Sequence, residues 1–506
     1  MNKENNDIAL FKKTISSMVT FDKELSENNI VTIQPDSLRI LHNPLTGWVL
    51  YASMGVDAAD FWAQYDHMYI PELGHNVSVT DYAHTLYIRA SWTDFNPQED
   101  VYGWKIDSNL RAYIEGAYQR NMRLAFRVVV DSRDKRTEFT PQFVKDAGAK
   151  GFMNKGKWSP YSDDPVFQKY YTKFVKALAK DFNDPSKVEF IDGFGLGKWG
   201  EYHTMIYSTG DDTPKKAVFN WVTDIYSQAF DKVPVVINYH RWIGAGKDWV
   251  DDEHFAADSE EMLEEAIKKG YSLRHDAFGM TTYYGSWERR FAEKYRNICP
   301  IIMEGGWIVK SHNYWQDPRG YRKDSHEDVR RGEFDDSKEA HVNMMDFRFG
   351  DTKSWFKDAF DLVRRFLREG GYRLYPSEIS LPLEVSKKTP PTIKHCWNNL
   401  GWGYCPTNIP QWNQKYKVAF ALLDSETNEV RYTFVDTDTD LSKWIKGSPA
   451  EYVFEPDMSK VETGTYVWAV GLVDRSNKDL VGLDIAAKGD ILDSGWLKLS
   501  KVSIKK

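Results

Sequence analysis

Two short apolar runs decide the fold of this chain: Phe190-Ile-Asp-Gly-Phe-Gly-Leu-Gly-Lys-Trp-Gly-Glu-Tyr-His203 and Pro300-Ile-Ile-Met-Glu-Gly-Gly-Trp307. Each begins as a buried strand would and then passes into glycines and aromatic residues, which is typical of a strand that ends in a turn. Each also carries one glutamate near that point, Glu201 in the first run and Glu304 in the second. The pattern predicts two carboxylates at the ends of two buried strands.

Around these two runs, apolar segments of strand length alternate with amphipathic helical segments. Such alternation is typical of a parallel sheet whose strands are joined by helices, and eight strands are the number that closes a barrel. The predicted fold class is therefore α/β, a (β/α)8 barrel followed by a smaller C-terminal β-sandwich. The predicted barrel strands are Gly47–Ala52, Thr85–Ala90, Arg123–Val130, Val188–Gly195, Val233–Tyr239, Ala277–Tyr283, Pro300–Glu304 and His341–Arg348.

Three segments are distinguished by their patterning. Residues 1–38 are polar and weakly patterned, which predicts an N-terminal tail, and residues 39–375 contain the predicted barrel. Over residues 376–506 helical patterns give way to short alternating runs between clusters of Asn, Asp, Gly and Ser, which predicts a β-sandwich. The clearest of these runs are Lys417–Leu423, Glu429–Val435, Glu451–Phe454 and Thr465–Leu472.

The composition argues against several classes of protein. A formal net charge of −8 over 506 residues, with lysine and arginine spread along the chain, is not that of a nucleic-acid-binding surface. No apolar run approaches the roughly 18 residues that cross a bilayer, and the first residues lack a hydrophobic signal core. We therefore expect neither a nucleic-acid partner nor a membrane span, and the oligomeric state is left open.

The three cysteines fit neither a disulfide scaffold nor a zinc-binding spacing. Cys299 precedes an apolar strand and is predicted to be a buried thiol. Cys396 and Cys405 lie close enough in sequence to pair across a short loop, and whether they do is left open. The sequence predicts no metal and no cofactor.

The placement of Glu201 and Glu304 suggests a chemistry. In a parallel barrel the active site lies at the carboxyl ends of the strands, and side chains from the fourth and seventh strands face each other across that end. Hydrolysis of a glycosidic bond needs two carboxyl groups flanking the bond. Glu304 also lies in an otherwise uncharged apolar segment, where an unpaired carboxylate would cost several kcal/mol to bury. The pair therefore predicts a glycoside hydrolase acting on a poly- or oligosaccharide.

A resemblance to a known clan supports this interpretation. The segment Tyr87-Ile-Arg-Ala-Ser-Trp-Thr-Asp-Phe-Asn-Pro-Gln-Glu-Asp-Val-Tyr-Gly-Trp104, with the helix and strand after it, resembles the second and third strands of retaining β-galactosidases and related barrel glycosidases. Asn43–Trp48 and Trp397–Gly401 also resemble a group of largely uncharacterised bacterial proteins in which such a barrel precedes a β-sandwich. The resemblance implies an arginine ending strand 2, an acid/base Glu after strand 4, a tyrosine ending strand 6 and a nucleophilic Glu ending strand 7. By position these are Arg89, Glu201, Tyr283 or Tyr284, and Glu304.

The chain departs from the clan at one position. The clan places Asn directly before the acid/base Glu, where it contacts the sugar 2-hydroxyl, whereas this chain has Gly200. Another group, such as His203 or Asn238, would have to take that role, or Glu201 is not a conventional acid/base. The departure leaves the contacts at the 2-position of the substrate open.

The environments of the two glutamates predict different roles. Glu304, if held by Arg89 and Tyr283, should stay ionised and attack the sugar, because a nearby cation and a hydroxyl donor favour the charged form. Glu201, flanked by aromatic residues, should have a raised pKa and donate a proton. Carboxyl groups about 5–5.5 Å apart would give retention, and about 6.5–9.5 Å would give inversion.

Other polar and aromatic side chains at predicted strand ends are candidates for binding the sugar, since tryptophan rings stack on sugar faces. With Arg89, Tyr283 and Tyr284, the predicted substrate-binding residues are Trp48, Trp92, Trp199, His203, Asn238, His240 and Trp307.

Two alternatives stay open. The first is a non-catalytic carbohydrate-binding protein that keeps the barrel cleft, which Gly200 favours. The second is a metal-dependent hydrolase or lyase on the same fold. A glycan substrate would suggest a periplasmic or extracellular location.

Overall fold

A computed structural model of the chain describes residues 28–133, 137–248, 254–280, 283–306, 326–387 and 390–506. The chain divides into two compact units. One comprises residues 42–372 with 402–413, and the other comprises the segment up to residue 41 with 373–401 and 414–506. The predicted boundaries at 38/39 and 375/376 stay a prediction.

The described strands are, in chain order, β1 (Asn28–Thr32), β2 (Gly47–Tyr51), β3 (Met68–Ile70), β4 (His75–Val77), β5 (Ala83–Ser91), β6 (Arg123–Val129), β7 (Gly151–Asn154), β8 (Lys157–Pro160), β9 (Val188–Asp192), β10 (Val235–Asn238), β11 (Tyr271–Phe278), β12 (Ile301–Gly305), β13 (Met344–Asp346), β14 (Leu374–Pro382), β15 (Glu384–Ser386), β16 (Ile393–Asn399), β17 (Tyr416–Asp424), β18 (Val430–Asp436), β19 (Ala450–Phe454), β20 (Gly464–Asp474), β21 (Leu480–Leu483) and β22 (Leu497–Lys505). The α-helices are α1 (Ala58–Asp66), α2 (Trp92–Phe95), α3 (Gly103–Ile106), α4 (Ser108–Gln119), α5 (Gln142–Asp146), α6 (Pro165–Phe182), α7 (Lys215–Ala229), α8 (Ser259–Lys268), α9 (Ser286–Tyr295), α10 (His326–Glu339), α11 (Thr352–Asp358) and α12 (Phe360–Glu369).

The first unit contains a closed barrel of parallel strands. Its strands follow one another as β2, β5, β6, β9, β10, β11, β12 and β13, and β13 pairs again with β2. The eight-stranded (β/α)8 barrel predicted from the alternating pattern is therefore confirmed. Since all strands run in the same direction, their carboxyl ends meet on one face.

The helices around the barrel follow from their sequences. Helix α6 begins after Asp164, whose side chain accepts a hydrogen bond from the Phe167 backbone N–H at 2.8 Å, and Pro165 occupies the first turn. Its buried face includes Tyr171 and Phe174, at the spacing that covers a sheet. Such amphipathic helices shield the barrel strands from water.

One barrel strand differs from the prediction. The sixth strand was expected at Ala277–Tyr283, but β11 spans Tyr271–Phe278 and is buried along its whole length. The cause is the polar triplet Arg274-His275-Asp276, which interrupts the apolar run that usually marks a buried strand. These charges are accommodated because they pair with other charges inside the barrel.

The second unit consists of two antiparallel-rich sheets, which fits the β-sandwich predicted for this region. One sheet has the order β1-β14-β16-β19, and the other has the order β15-β22-β20-β17-β18 with β21 paired to β20. The sheets contact each other through His395 of β16 and Phe420 of β17, whose ring centroids lie 5.2 Å apart. Strand β1 comes from the segment predicted as a tail, of which residues 1–27 lie outside the described residues.

Two further expectations can be compared with the structure. Among the described residues, no helix combines the length and the apolar character needed to cross a membrane. No disulfide bond joins Cys299, Cys396 or Cys405, and Cys299 is buried as predicted.

Candidate active site

Glu201 and Glu304, the two predicted catalytic residues, lie at the same face of the barrel. Glu304 is the fourth residue of the five-residue strand β12, and Glu201 lies in the turn that follows β9. Both positions are at the carboxyl ends of their strands. This is the face at which barrel enzymes build their active sites.

The turn that carries Glu201 depends on glycine. Gly195 and Gly200 have φ angles of +70° and +73°, and a Cβ on Gly195 would lie 2.0 Å from the carbonyl oxygen of Val128. Trp199 also has a positive φ, of +59°. Position 195 combines a positive φ with a backbone oxygen close to where a Cβ would be. Only glycine fits there, because a side chain would clash with backbone that cannot move aside. The run of glycines seen in the sequence therefore holds Glu201 in place.

Replacing Gly195 by alanine tests this dependence, and Gly210 provides a matched control. Gly210 has a φ of +79° but nothing within 4 Å of an added Cβ. Gly210→Ala should cost only the backbone strain of about 1–2 kcal/mol. Gly195→Ala should lower the free energy of unfolding by about 2 kcal/mol more, because of the clash. Urea unfolding measures both, and equal costs would show that the turn tolerates a side chain at position 195.

Glu201 is almost buried and contacts two basic side chains. Its carboxylate oxygens lie 3.8 Å from Nη1 of Arg127 and 3.5 Å from Nε2 of His203, and 13% of its side chain is exposed. Its backbone carbonyl accepts a hydrogen bond from Nε2 of His240 at 2.9 Å. Burial, followed by the neighbouring His203, holds the pKa of His240 well below its usual value, so its ring is neutral. Both sequence-predicted histidines therefore surround Glu201.

Glu304 is held by an arginine of the neighbouring strand β11. Nη2 of Arg274 donates to Glu304 Oε2 and also to Oδ2 of Asp346 at 3.1 Å. Nε of the same guanidinium donates to Asp276 at 3.0 Å. Nε of Arg348 lies 3.9 Å from the other oxygen of Glu304. Arg274 is completely buried, so these contacts form away from water.

A second arginine connects the two glutamates. Nη1 of Arg127 lies 2.6 Å from Asp276 Oδ2 and 3.8 Å from Glu201, and its Nε donates to Asp192 at 2.8 Å. Asp276 thus contacts both Arg127 and Arg274. A continuous series of charged contacts runs from Glu201 through Arg127, Asp276 and Arg274 to Glu304. The two predicted catalytic residues belong to one buried network.

The ionisation of Glu304 differs from the expectation. Burial, reinforced by the negative charges of Asp276 and Asp346 and opposed by Arg274, raises its pKa to about 8. Burial likewise raises the pKa of Asp346 to about 6, while the arginines hold the pKa of Asp276 below its usual range. Glu304 was expected to stay ionised. Its pKa is raised because burial disfavours the charged form, and the opposing charge of Arg274 is divided among three carboxyl groups.

Arg89 and Tyr283, which were expected to hold Glu304, form hydrogen bonds with other residues. Nη2 of Arg89 donates to the backbone carbonyl of Trp199 at 2.6 Å, so Arg89 supports the turn of Glu201. Strand β11 ends at Phe278, so Tyr283 and Tyr284 lie beyond the strand. The backbone N–H of Tyr283 donates to Met280, and its backbone carbonyl accepts from Arg241.

Tyr284 is buried, with its hydroxyl accepting from Tyr239 at 3.2 Å. Arg274, from within the strand, takes the place expected for these helpers of Glu304.

Two of the predicted tryptophans belong to the protein core. Trp48 is fully buried and stacks on Phe347, with centroids 4.3 Å apart. Trp92 is fully buried too and packs edge-on against Tyr171. Neither can offer a ring face to a sugar, because other aromatic side chains already cover it. Trp199 is half-buried beside His203, and Trp307 lies outside the described residues.

Asn238 ends strand β10 and is buried at 0% exposure. Neither its amide oxygen nor its amide nitrogen has a hydrogen-bond partner among the described residues. A buried amide without partners costs stability, so a ligand or water oxygen that bonded it would be favoured. Its position leaves it a candidate for the 2-hydroxyl role that Gly200 cannot perform.

Most residues of this network were not among those predicted from the sequence. Arg127 stands inside the apolar run of β6, which is the same signal that marked Glu304. Asp346 ends the last barrel strand, and polar residues at the carboxyl ends of barrel strands are the expected site residues, so its position could have identified it. Arg274 and Asp276 were missed because strand β11 was placed too far along the chain.

Comparisons with known proteins give only a distant likeness. Solved structures similar to this one include the endo-β-1,4-mannanase from Thermotoga petrophila, at 13% identity and a TM-score of 0.40, covering 92% of this chain and 98% of that chain. Endo-glycoceramidase II from Rhodococcus sp. is 12% identical, with a TM-score of 0.38 and coverage of 84% and 99%. These neighbours are glycoside hydrolases. No protein-family model and no curated protein sequence matches the chain.

Proposed function

We propose that the barrel unit is a glycoside hydrolase that cleaves a glycosidic bond in a poly- or oligosaccharide. The observation that carries the proposal is the joint placement of Glu201 and Glu304. They stand at the carboxyl ends of β9 and β12 and are joined through Arg127, Asp276 and Arg274. The clan resemblance, which assigns an acid/base and a nucleophile to these positions, supports it.

The proposed mechanism is retaining. Glu304 attacks the anomeric carbon while Glu201 protonates the leaving oxygen. Glu201 then removes a proton from the water molecule that releases the sugar from Glu304. Attack requires the ionised form of Glu304, so a raised pKa limits the fraction that reacts at neutral pH. Contact with the Arg274 guanidinium favours that ionised form.

The role of Glu201 can be tested by its substitution. Glu201→Gln should lower kcat by about 10²–10⁴-fold on substrates with an alcohol leaving group, since no proton can be supplied. On aryl glycosides whose phenolate leaves without a proton, the first step should be far less affected. Hydrolysis of a series of glycosides with leaving groups of decreasing pKa measures this difference.

An exposed glutamate provides the control for Glu201→Gln. Glu115→Gln changes an exposed glutamate that pairs with Arg111 at 3.3 Å, and should leave all the rates unchanged. Equal losses by Glu201→Gln on all leaving groups would contradict its role as the proton donor. Full activity of Glu201→Gln on every substrate would overturn the assignment of this residue.

The second candidate function is carbohydrate binding without hydrolysis. It is favoured by Gly200 in place of the clan's asparagine, and by the pKa of Glu304 near 8, which leaves this carboxyl group mostly uncharged at neutral pH. Titration of a glycan panel that shows binding without any release of reducing ends would favour this alternative.

A further inference from the structure

Asp346 and Glu304 form a closely spaced pair of carboxyl groups. They are direct partners in the register between β12 and β13, so their side chains point to the same side of the barrel. Both accept a hydrogen bond from the same atom, Nη2 of Arg274. Two oxygens bonded to one nitrogen lie within about 6 Å of each other, twice the length of an ordinary hydrogen bond. Glu304 is 8% exposed and Asp346 is fully buried.

The charges around this pair do not balance if every carboxyl group is ionised. Two arginines and four carboxyl groups contact one another inside the described part of the barrel: Arg127, Arg274, Asp192, Asp276, Glu304 and Asp346. Full ionisation would leave a net charge of about −2 in a buried site, which is unfavourable. Arg348 and Glu201, which contact this group at 3.9 and 3.8 Å, carry opposite charges and leave that sum unchanged. Protons bound by the carboxyl groups relieve this excess.

The contacts indicate where such a proton resides. Asp192 accepts from Arg127 and from the Tyr87 hydroxyl, and Asp276 contacts both arginines. These two aspartates are the better compensated. Glu304 and Asp346 instead share one guanidinium nitrogen, and burial raises the pKa of both, to about 8 and about 6.

We propose that Asp346 is a positioning residue for Glu304: the two carboxyl groups share the Nη2 of Arg274 and hold one proton between them over a range of pH, so that Asp346 sets the pH at which Glu304 ionises. The catalytic consequence rests on the proposed function, but the sharing of the proton does not. Ionisation of Asp346 places a negative charge beside Glu304 and makes its own ionisation harder. Like charges this close separate two titrations into distinct steps.

Other groups also act on Glu304, and they come from several elements of the barrel. They are Arg274 and Asp276 on β11, Asp346 on β13, Arg348 just after β13, Arg127 on β6 and Tyr51 on β2. Asp276 also raises the pKa of Glu304, but Asp346 is the acid that stands in direct register with Glu304 and shares the same nitrogen of Arg274. Its removal both deletes a negative charge and leaves Arg274 with one partner fewer. The two effects have the same sign, and both lower the pKa of Glu304.

The experiment is a carboxyl titration by NMR on protein without substrate. Glutamate labelled with ¹³C at the side-chain carboxyl reports every glutamate, and the spectrum of Glu304→Gln identifies the signal of Glu304. In the wild-type chain this signal should titrate near pH 8. In Asp346→Asn its midpoint should fall by about one pH unit or more, as expected from removing a like charge at this distance.

Glu189→Gln is the matched control. Glu189 is a buried carboxyl of β9 that binds an arginine, since Nε of Arg123 donates to it at 2.6 Å, and within the described part of the chain it forms no hydrogen bond or ion pair with Glu304. The midpoint of Glu304 should stay unchanged in this variant. An unchanged midpoint in Asp346→Asn, or an equal shift in the control, would overturn the proposal.

A reciprocal measurement covers the case in which Asp346→Asn does not fold. With ¹³C-carboxyl aspartate, a wild-type signal should titrate near pH 6 and show a second inflection near pH 8, where Glu304 ionises, and this second inflection should disappear in Glu304→Gln. A signal without the second inflection, or one that keeps it in Glu304→Gln, would also overturn the proposal. Because no substrate is used, a chain that hydrolyses no glycoside can still show the coupling. A hydrolase without the coupling would contradict only this inference.

Discussion

Glu304→Gln should lose glycoside hydrolysis by at least about 10³-fold in kcat, because the amide cannot form the covalent bond to the sugar. The loss should hold for substrates with good and poor leaving groups alike. This separates it from Glu201→Gln, whose effect depends on the leaving group. Initial rates on aryl glycosides and on oligosaccharides measure the difference, and a retained rate in Glu304→Gln would show that another residue attacks.

The same substitution should leave the fold intact, and the direction of its effect on stability depends on pH. Folding raises the pKa of Glu304 from 4.5 to about 8, so the folded chain binds more protons than the unfolded chain between these values. The contribution of this group is therefore fully present below about pH 4.5 and is lost as the pH rises to 8. Glutamine does not ionise, so Glu304→Gln should unfold at a higher temperature than the wild-type chain at pH 8, and the difference should shrink toward pH 5.

Arg274→Met should destabilise the barrel by about 3–5 kcal/mol, the usual cost of removing one partner from a buried ion network. Its guanidinium compensates Asp276, Glu304 and Asp346, and all of these side chains are at most 10% exposed. Without it, these carboxyl groups would lie close together in an almost completely buried site with one positive charge fewer to compensate them. Chemical denaturation measures the loss, and activity should fall with it because Glu304 would stay protonated.

Arg290→Met is the matched control for this prediction. Nη2 of Arg290 lies 2.9 Å from Glu260, but the arginine side chain is 53% exposed. An exposed ion pair contributes only about 0–1 kcal/mol, because water replaces the lost partner. Similar costs for the two arginine substitutions would contradict the role assigned to Arg274.

The barrel could be predicted from the sequence because most of its strands are predominantly apolar. The strands β2, β5, β6, β10 and β12 lie within two residues of their predicted bounds, and β9 begins at its predicted residue but ends three residues earlier. Strand β11 could not be predicted in the same way, since Arg274-His275-Asp276 reads as an exposed turn when its partners are unknown. Those partners, Arg127, Glu304 and Asp346, come from other strands and are brought to β11 only by closure of the barrel.

The two glutamates of the site could be predicted from the sequence, but the residues around them could not, because their roles depend on contacts made only in the folded barrel. Glu201 and Glu304 were marked by their own sequence contexts, whereas the role of each tryptophan depends on what packs against it. Trp48 and Trp92 are core residues, and a strand-end position does not distinguish them from a ring that faces a cleft. The raised pKa of Glu304 could not be foreseen either, since it arises from burial in the closed barrel and from acids more than 25 residues away along the chain.

The most direct test of the central claim is the stereochemistry of the first product. Hydrolysis of an anomerically pure glycoside is followed by ¹H NMR, before the released sugar interconverts between its anomers. We expect the wild-type chain to release first the anomer with the configuration of the substrate, and Glu304→Gln to release no sugar. An inverted first product, or product formation that survives the loss of Glu304, would contradict it.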